Sequence, residues 1–141
     1  MKLNDAARDL IGAAADATLV TLNPDGSPQV SLVWVALEPG EDGDELVVAS
    51  LADRKKVRNV RRDGRVALTI VSSEPGSVRR PYLTVTGTAR VVEGGAPELL
   101  RQLAATMVTD DTVVFPPEDA PPGYLTRIRI DAVGGIGPWA D

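Results

Sequence analysis

The stretch Leu46–Ile70, LVVAS-LADRKKVRNVRRDG-RVALTI, constrains the fold more than any other part of the chain. It reads as an apolar strand (Leu46–Ser50), a short helix from about Asp53, and a second apolar strand (Arg65–Ile70). Asp53 suits the helix N-cap, Val57 and Val60 mark one helical face, and Gly64 suits the left-handed position just past the helix. Seven of the fifteen cations fall in residues 54–65: Arg54, Lys55, Lys56, Arg58, Arg61, Arg62 and Arg65. With Asp63 that window carries +6; the whole chain carries −5, so the remainder carries −11. Arg58, Arg61 and Arg62 lie toward the helix C-terminus, where the macrodipole favours cations. Arg54, Lys55 and Lys56 lie in the first turn, where it disfavours each by roughly 0.3–1 kcal/mol. A bound anion reverses that sign. Three cations, free backbone N–H groups and the Ser50 hydroxyl make a phosphate cradle. A solvated basic surface is the ordinary reading of any one of these side chains. Their concentration in an otherwise acidic chain favours a small anionic ligand at one place.

A chain of 141 residues fits one domain, here residues 1–141, with a real core. No apolar run approaches the ~20 residues that span a bilayer, and the N-terminus has no signal-peptide pattern, so the expectation is a cytoplasmic protein without a membrane partner. There is no cysteine and no histidine. That excludes Cys–His and Ser–His–Asp nucleophile systems and ordinary structural zinc sites. The acidic balance argues against a duplex-DNA binder. Residues 46–70 contain no aromatic, so a single-strand nucleic-acid barrel lacks its stacking residues beside the basic stripe.

In chain order, Asn4 caps an expected first helix to about Ala15, with Ala7, Leu10, Ile11 and Ala14 on one side. Strands are expected at Thr18–Leu22 and Pro28–Leu37, joined by the turn Asn23-Pro24-Asp25-Gly26. Pro28–Leu37 is apolar on both faces, so it is covered on both sides. After the basic helix, the strand beginning at Arg65 runs to Ser72, and a loop from Glu74 ends in Arg79-Arg80-Pro81. A long strand, Tyr82–Glu93, follows, with Gly87 marking a bend or bulge. A helix starts at Pro97 and carries Leu99, Leu100, Leu103 and Met107 on its apolar side. Phe115–Gly123 is a Pro-rich connection and Tyr124–Val133 the last strand, before the tail Gly134-Gly135-Ile136-Gly137-Pro138-Trp139. The order α-β-β-β-α-β-β-α-β predicts a mainly β (α+β) fold, a six-stranded antiparallel Greek-key barrel with flanking helices.

With Gly-Ser-Pro-Gln-Val-Ser (26–31), the strand–basic helix–strand unit and Thr-Gly-Thr-Ala (86–89), nearly the whole chain resembles the pyridoxamine-phosphate-oxidase-like split barrels, a family of flavin and deazaflavin proteins. The most specific piece is residues 53–66, DRKKVRNVRRDGRV. Its short, Arg-rich helix most resembles the actinobacterial branch that uses coenzyme F420, a deazaflavin with a phospholactyl-oligoglutamate tail; FMN is the alternative cofactor. The resemblance implies that Lys55 and Lys56, with Arg54, hold the cofactor phosphate, and that Arg58, Asn59, Arg61 and Arg62 extend the groove along the tail. It places Ser31, Val33 and Trp34, with Ala49 and Ser50 on the adjacent strand, beside the tricyclic ring. Taken alone, Trp34 reads as core or dimer interface. Trp139 is either a loosely packed tail or a flap closing a partner's pocket, and Arg79 and Arg80 are either a solvated loop or reach a cofactor from a second subunit.

The resemblance further implies a homodimer with two cofactor sites at its interface. It implies an F420-dependent oxidoreductase passing hydride to a small, apolar, electrophilic substrate. The alternatives are an FMN-dependent oxidoreductase on the same barrel and a non-catalytic cofactor carrier. Hydride transfer needs no protein nucleophile, in keeping with the missing His and Cys. Proton delivery falls to solvent or a hydroxyl such as Tyr82 or Ser31. Pyridoxamine-phosphate oxidases proper hold their substrate with an Arg and a His near the C-terminus, and this chain has no His, which argues against that activity.

Overall fold

The computed structural model describes residues 1–74 and 80–140. The sequence expectations for residues 75–79, Arg79 among them, lie outside the described residues. Six antiparallel strands close into a barrel: β1 (Ala15–Leu22), β2 (Pro28–Glu38), β3 (Glu45–Ser50), β4 (Arg65–Val71), β5 (Tyr82–Glu93) and β6 (Tyr124–Ile136). Their order around the barrel is β1-β2-β3-β6-β5-β4. This is the expected mainly β split barrel, with α1 (Asp5–Ile11), α2 (Lys55–Arg62) and α3 (Ala96–Met107) packed on it.

Alternation builds the core. Leu19, Val35, Leu46, Val48, Leu68, Ile70, Leu83, Val85, Ile128 and Ile130 are buried inside the barrel. Burying a side chain of this size contributes roughly 1.5–3 kcal/mol. α3 lies against β2 and β3, and α2 against β1, β5 and β6. Between Thr86 and Gly87 the β5–β6 register shifts, the bulge expected at Gly87. A Cβ at Gly87 would lie 2.2 Å from the Arg129 carbonyl oxygen, so only glycine fits.

Four local expectations are corrected. The first helix stops at Ile11, because Gly12 (φ 58°) leaves the right-handed region; Ala15 and Ala17 then turn inward as the start of β1. Arg54, not Asp53, is the N-cap of α2, and its side chain caps nothing. Gly64 is not left-handed; a Cβ there would meet the Ala89 carbonyl oxygen at 2.6 Å, so its requirement is close approach. The Gly-rich tail is partly strand, since β6 continues through Gly134 and Gly135 to pair Ile136 with Tyr82. Gly135 has φ 103°, and a Cβ would lie 2.1 Å from the Tyr82 carbonyl oxygen.

Both ends of the chain are pinned. The buried Asp44 carboxylate accepts from Leu3 N (2.8 Å) and from the Arg8 guanidinium (2.7 Å). Trp139 Nε1 donates to the Tyr82 carbonyl (2.8 Å), and Asn4 Nδ2 to the Pro138 carbonyl (3.1 Å).

Candidate cofactor and substrate site

The basic helix meets the barrel beside a cavity of about 270 Å³. Its lining combines Asp16 of β1, Leu32, Val33 and Trp34 of β2, Ala49 of β3, Lys56 of α2, Leu100 of α3 and Phe115. Phe115 stands edge-on to Trp34, with centroids 5.9 Å apart and ring planes at 84°. Such a pair holds an aromatic wall in place.

Lys56 is the cationic member of this lining. It is half-buried, and burial pushes its ammonium below the ordinary lysine range, with the nearby Arg54 charge adding to the effect. Among the described residues, no carboxylate lies in ion-pair range of Arg54, Lys55 or Lys56. With no side-chain cap, the first-turn N–H groups of α2 keep their donors free of side-chain oxygens. On β3 the Ser50 hydroxyl is buried without a hydrogen-bond partner among the described residues, but it does not line the cavity: it shares the strand face of the core residues Leu46 and Val48, opposite to that of Ala49. A group offering a phosphate or carboxylate oxygen would meet donors and positive charge at the first turn of α2, so the residues fit an anionic cofactor.

The last turn of α2 is tied to its own chain. Asn59 is only 2% exposed; its Nδ2 donates to Thr21 Oγ1 and Asn23 Oδ1, both at 3.1 Å. Thr21 Oγ1 in turn lies 3.3 Å from Gln29 Oε1, which accepts from Ser31 Oγ at 3.2 Å. Arg62 donates to the Leu22 carbonyl, and Arg58 to the Asp53 carbonyl. Arg61 stacks over Tyr124, 4.9 Å from its centroid, and lies 3.8 Å from Glu93. The groove expected along Asn59, Arg58, Arg61 and Arg62 is therefore occupied by intramolecular contacts. Asn59 anchors the β1–β2 hairpin to the basic helix.

Of the site residues expected from the sequence, Val33, Trp34, Ala49 and Lys56 line one cavity, and Arg54 and Lys55 adjoin it on α2. Ser31 belongs to the Asn59 network. Arg80 donates to the Ser72 carbonyl at 3.2 Å. Trp139 packs against the core and, with Ala6 and Leu10 of α1, lines a different pocket. Neither hydroxyl suggested as a proton donor, Tyr82 or Ser31, lines the cavity. Asp16, Leu32, Leu100 and Phe115 were missed as site residues. Extending β1 to Ala15 reveals Asp16, because the hairpin register then sets it opposite Trp34. Phe115 is the chain's one phenylalanine, a signal hidden in a connection.

A family model described as pyridoxamine 5'-phosphate oxidase matches residues 3–136. Among solved structures, the barrel is similar to an F420 reductase at 26% identity, covering 90% of this chain and 94% of that one with a TM-score of 0.71. It is also similar in fold to HupZ from Group A Streptococcus, at 17% identity, 99% and 98% coverage and a TM-score of 0.69. Among curated proteins no match was found. The chain belongs to the pyridoxamine 5'-phosphate oxidase family, whose members are generally oxidoreductases with flavin-type cofactors.

Proposed function

We propose that this protein is a reductase dependent on coenzyme F420, acting on a small, apolar, electrophilic substrate. The observation that carries the reading is the unpaired cationic first turn of α2, with Lys56 lining an otherwise largely apolar cavity. The similarity to an F420 reductase supports the deazaflavin over other members of the family. Arg54, Lys55 and Lys56 would hold the phosphate. Trp34, Phe115 and Leu32 would give a planar ring an apolar wall and keep water from it. When bound, the reduced cofactor supplies hydride, so the chain contributes binding, orientation and exclusion of solvent.

FMN is the second reading, favoured by the family match itself. Titrating the purified protein with F420 and with FMN, followed by fluorescence, separates them. F420 should bind more tightly, and F420-dependent reduction of an apolar electrophile should follow. Tighter FMN binding would establish the flavin reading, and F420 binding without turnover would indicate a carrier.

The same reading includes a two-fold dimer in the cytoplasm. On β2, Val30 is 60% exposed and Leu32 75%, an apolar strip next to the cavity that a second copy would cover. Sedimentation should give twice the 14.9 kDa chain mass at micromolar concentration. A monomer mass there would remove the dimer from the account.

A further inference from the structure

Lys56 and Asp16 are the two charged side chains lining the cavity. They do not pair with each other, and among the described residues neither has an ion-pair partner. The lining between them is apolar. Asp16 stands opposite Trp34 in the β1–β2 ladder, exposed between the buried Ala15 and Ala17. Directly opposed residues have Cβ atoms about 4.5–5.5 Å apart, so the carboxylate belongs to the same wall as the indole. A ligand filling this cavity meets one cationic and one anionic side chain in an otherwise apolar lining. Asp16 offers only acceptor oxygens when ionised, so it favours an N–H, an O–H or a cation and repels another anion.

We infer that Asp16 determines the specificity and orientation of this cavity. It admits a planar apolar molecule that is anionic where it meets Lys56 and presents a hydrogen-bond donor or a positive charge where it meets Asp16. It turns away molecules that carry a second anionic group against Asp16. The inference rests on the reading that the ligand's phosphate sits at Lys56.

The test uses two rigid probes, 6-amino-2-naphthyl phosphate and 6-carboxy-2-naphthyl phosphate, with quenching of Trp34 fluorescence as the readout. Loss of the signal in Trp34→Phe confirms its origin, since Trp139 packs elsewhere. Wild type should bind the amino probe at least ~30-fold more tightly than the carboxy probe. In Asp16→Asn that preference should shrink to roughly threefold or less, chiefly because the carboxy probe binds better. Asp16 is an exposed strand residue, so the variant should keep the wild-type fold by circular dichroism. Equal preference in wild type and Asp16→Asn overturns the inference, as does failure of both probes to bind wild type at millimolar concentration. Lys56→Ala should weaken both probes alike and preserve the preference. If Lys56→Ala binds both as wild type does, the phosphate is not at Lys56 and the cofactor reading fails, while the Asp16 comparison is read separately.

Discussion

On the outer face of β5 and β6, every arginine lies against a carboxylate. Arg90 reaches Glu45 at 2.5 Å, Arg127 reaches Glu38 at 2.8 Å and Glu45 at 3.4 Å, and Arg129 reaches Asp131 at 2.9 Å. On the first turn of α2, Arg54, Lys55 and Lys56 have no such partner among the described residues. The first set is locally neutral and solvated, and pairs of that kind contribute about 0–1 kcal/mol each. The second set meets an unfavourable helix dipole, and the Lys56 ammonium is depressed by burial first and by the Arg54 charge second. Cations without partners beside an apolar cavity are available to an anionic ligand, the role proposed for them; cations laid along a ladder with acids are already neutralised. Count of charge alone does not distinguish the two. The partners do.

The largest expected effect separates these surfaces. Lys55→Ala/Lys56→Ala removes two charge-assisted contacts of about 1.5–3 kcal/mol each, so F420 affinity should fall by roughly 100-fold or more. Thermal stability should be nearly unchanged, because the helix keeps Val57 and Val60 in their buried positions. Arg127→Ala/Arg129→Ala should leave affinity within about twofold, by direct titration. A comparable loss in both variants would erase the distinction. In wild type, binding should weaken as rising pH deprotonates Lys56, beginning below its usual value of 10.5 because the folded apo state already disfavours its charge.

A second expectation sharpens the division within α2 itself. Asn59→Leu leaves Thr21 and Asn23 without their buried donor and should cost about 1–3 kcal/mol. That corresponds to roughly 3–9 °C in Tm, read by calorimetry. The first turn should respond through binding and the buried Asn59 through stability. An Asn59→Leu protein of wild-type Tm would show the hairpin anchor to be idle.

The smallest effect lies on the ladder. Arg90 holds the Glu45 carboxyl below its ordinary 4.5 by hydrogen bonding. This pair contributes fully above pH 4.5, and its contribution is lost as pH falls through the lowered folded-state value. Partial exposure screens it, so Arg90→Ala should cost less than about 1 kcal/mol at pH 7, and the difference should vanish in acid. Denaturant melts of both proteins at pH 7 and pH 3 check this.

Strand alternation and turn chemistry made the barrel legible: the Asp25-Gly26 turn, the Gly87 bulge and the Pro97 helix start all fall where residue type dictates. Boundaries failed where a residue suits two states. Ala13–Ala17 favours helix by propensity, but Gly12 ends α1, and inward pairing with β2 commits Ala15 and Ala17 to strand. Gly134 and Gly135 read as the start of a tail, yet both belong to β6, and at Gly135 the close Tyr82 carbonyl demands a residue without Cβ. At the site, the cationic turn was legible because charge is local in sequence. The contacts of Asn59 were not, because its partners Thr21 and Asn23 lie more than thirty positions away. Asp16 and Phe115 join the cavity only through tertiary packing.

Crystals of the protein soaked with F420 should show phosphate density against the first-turn N–H groups of α2 and the Lys55 and Lys56 ammonium groups, with the ring in the cavity lined by Trp34, Lys56 and Phe115. Phosphate density on the Arg90–Arg129 face, or a ring outside the cavity lined by Trp34, would contradict the proposed site.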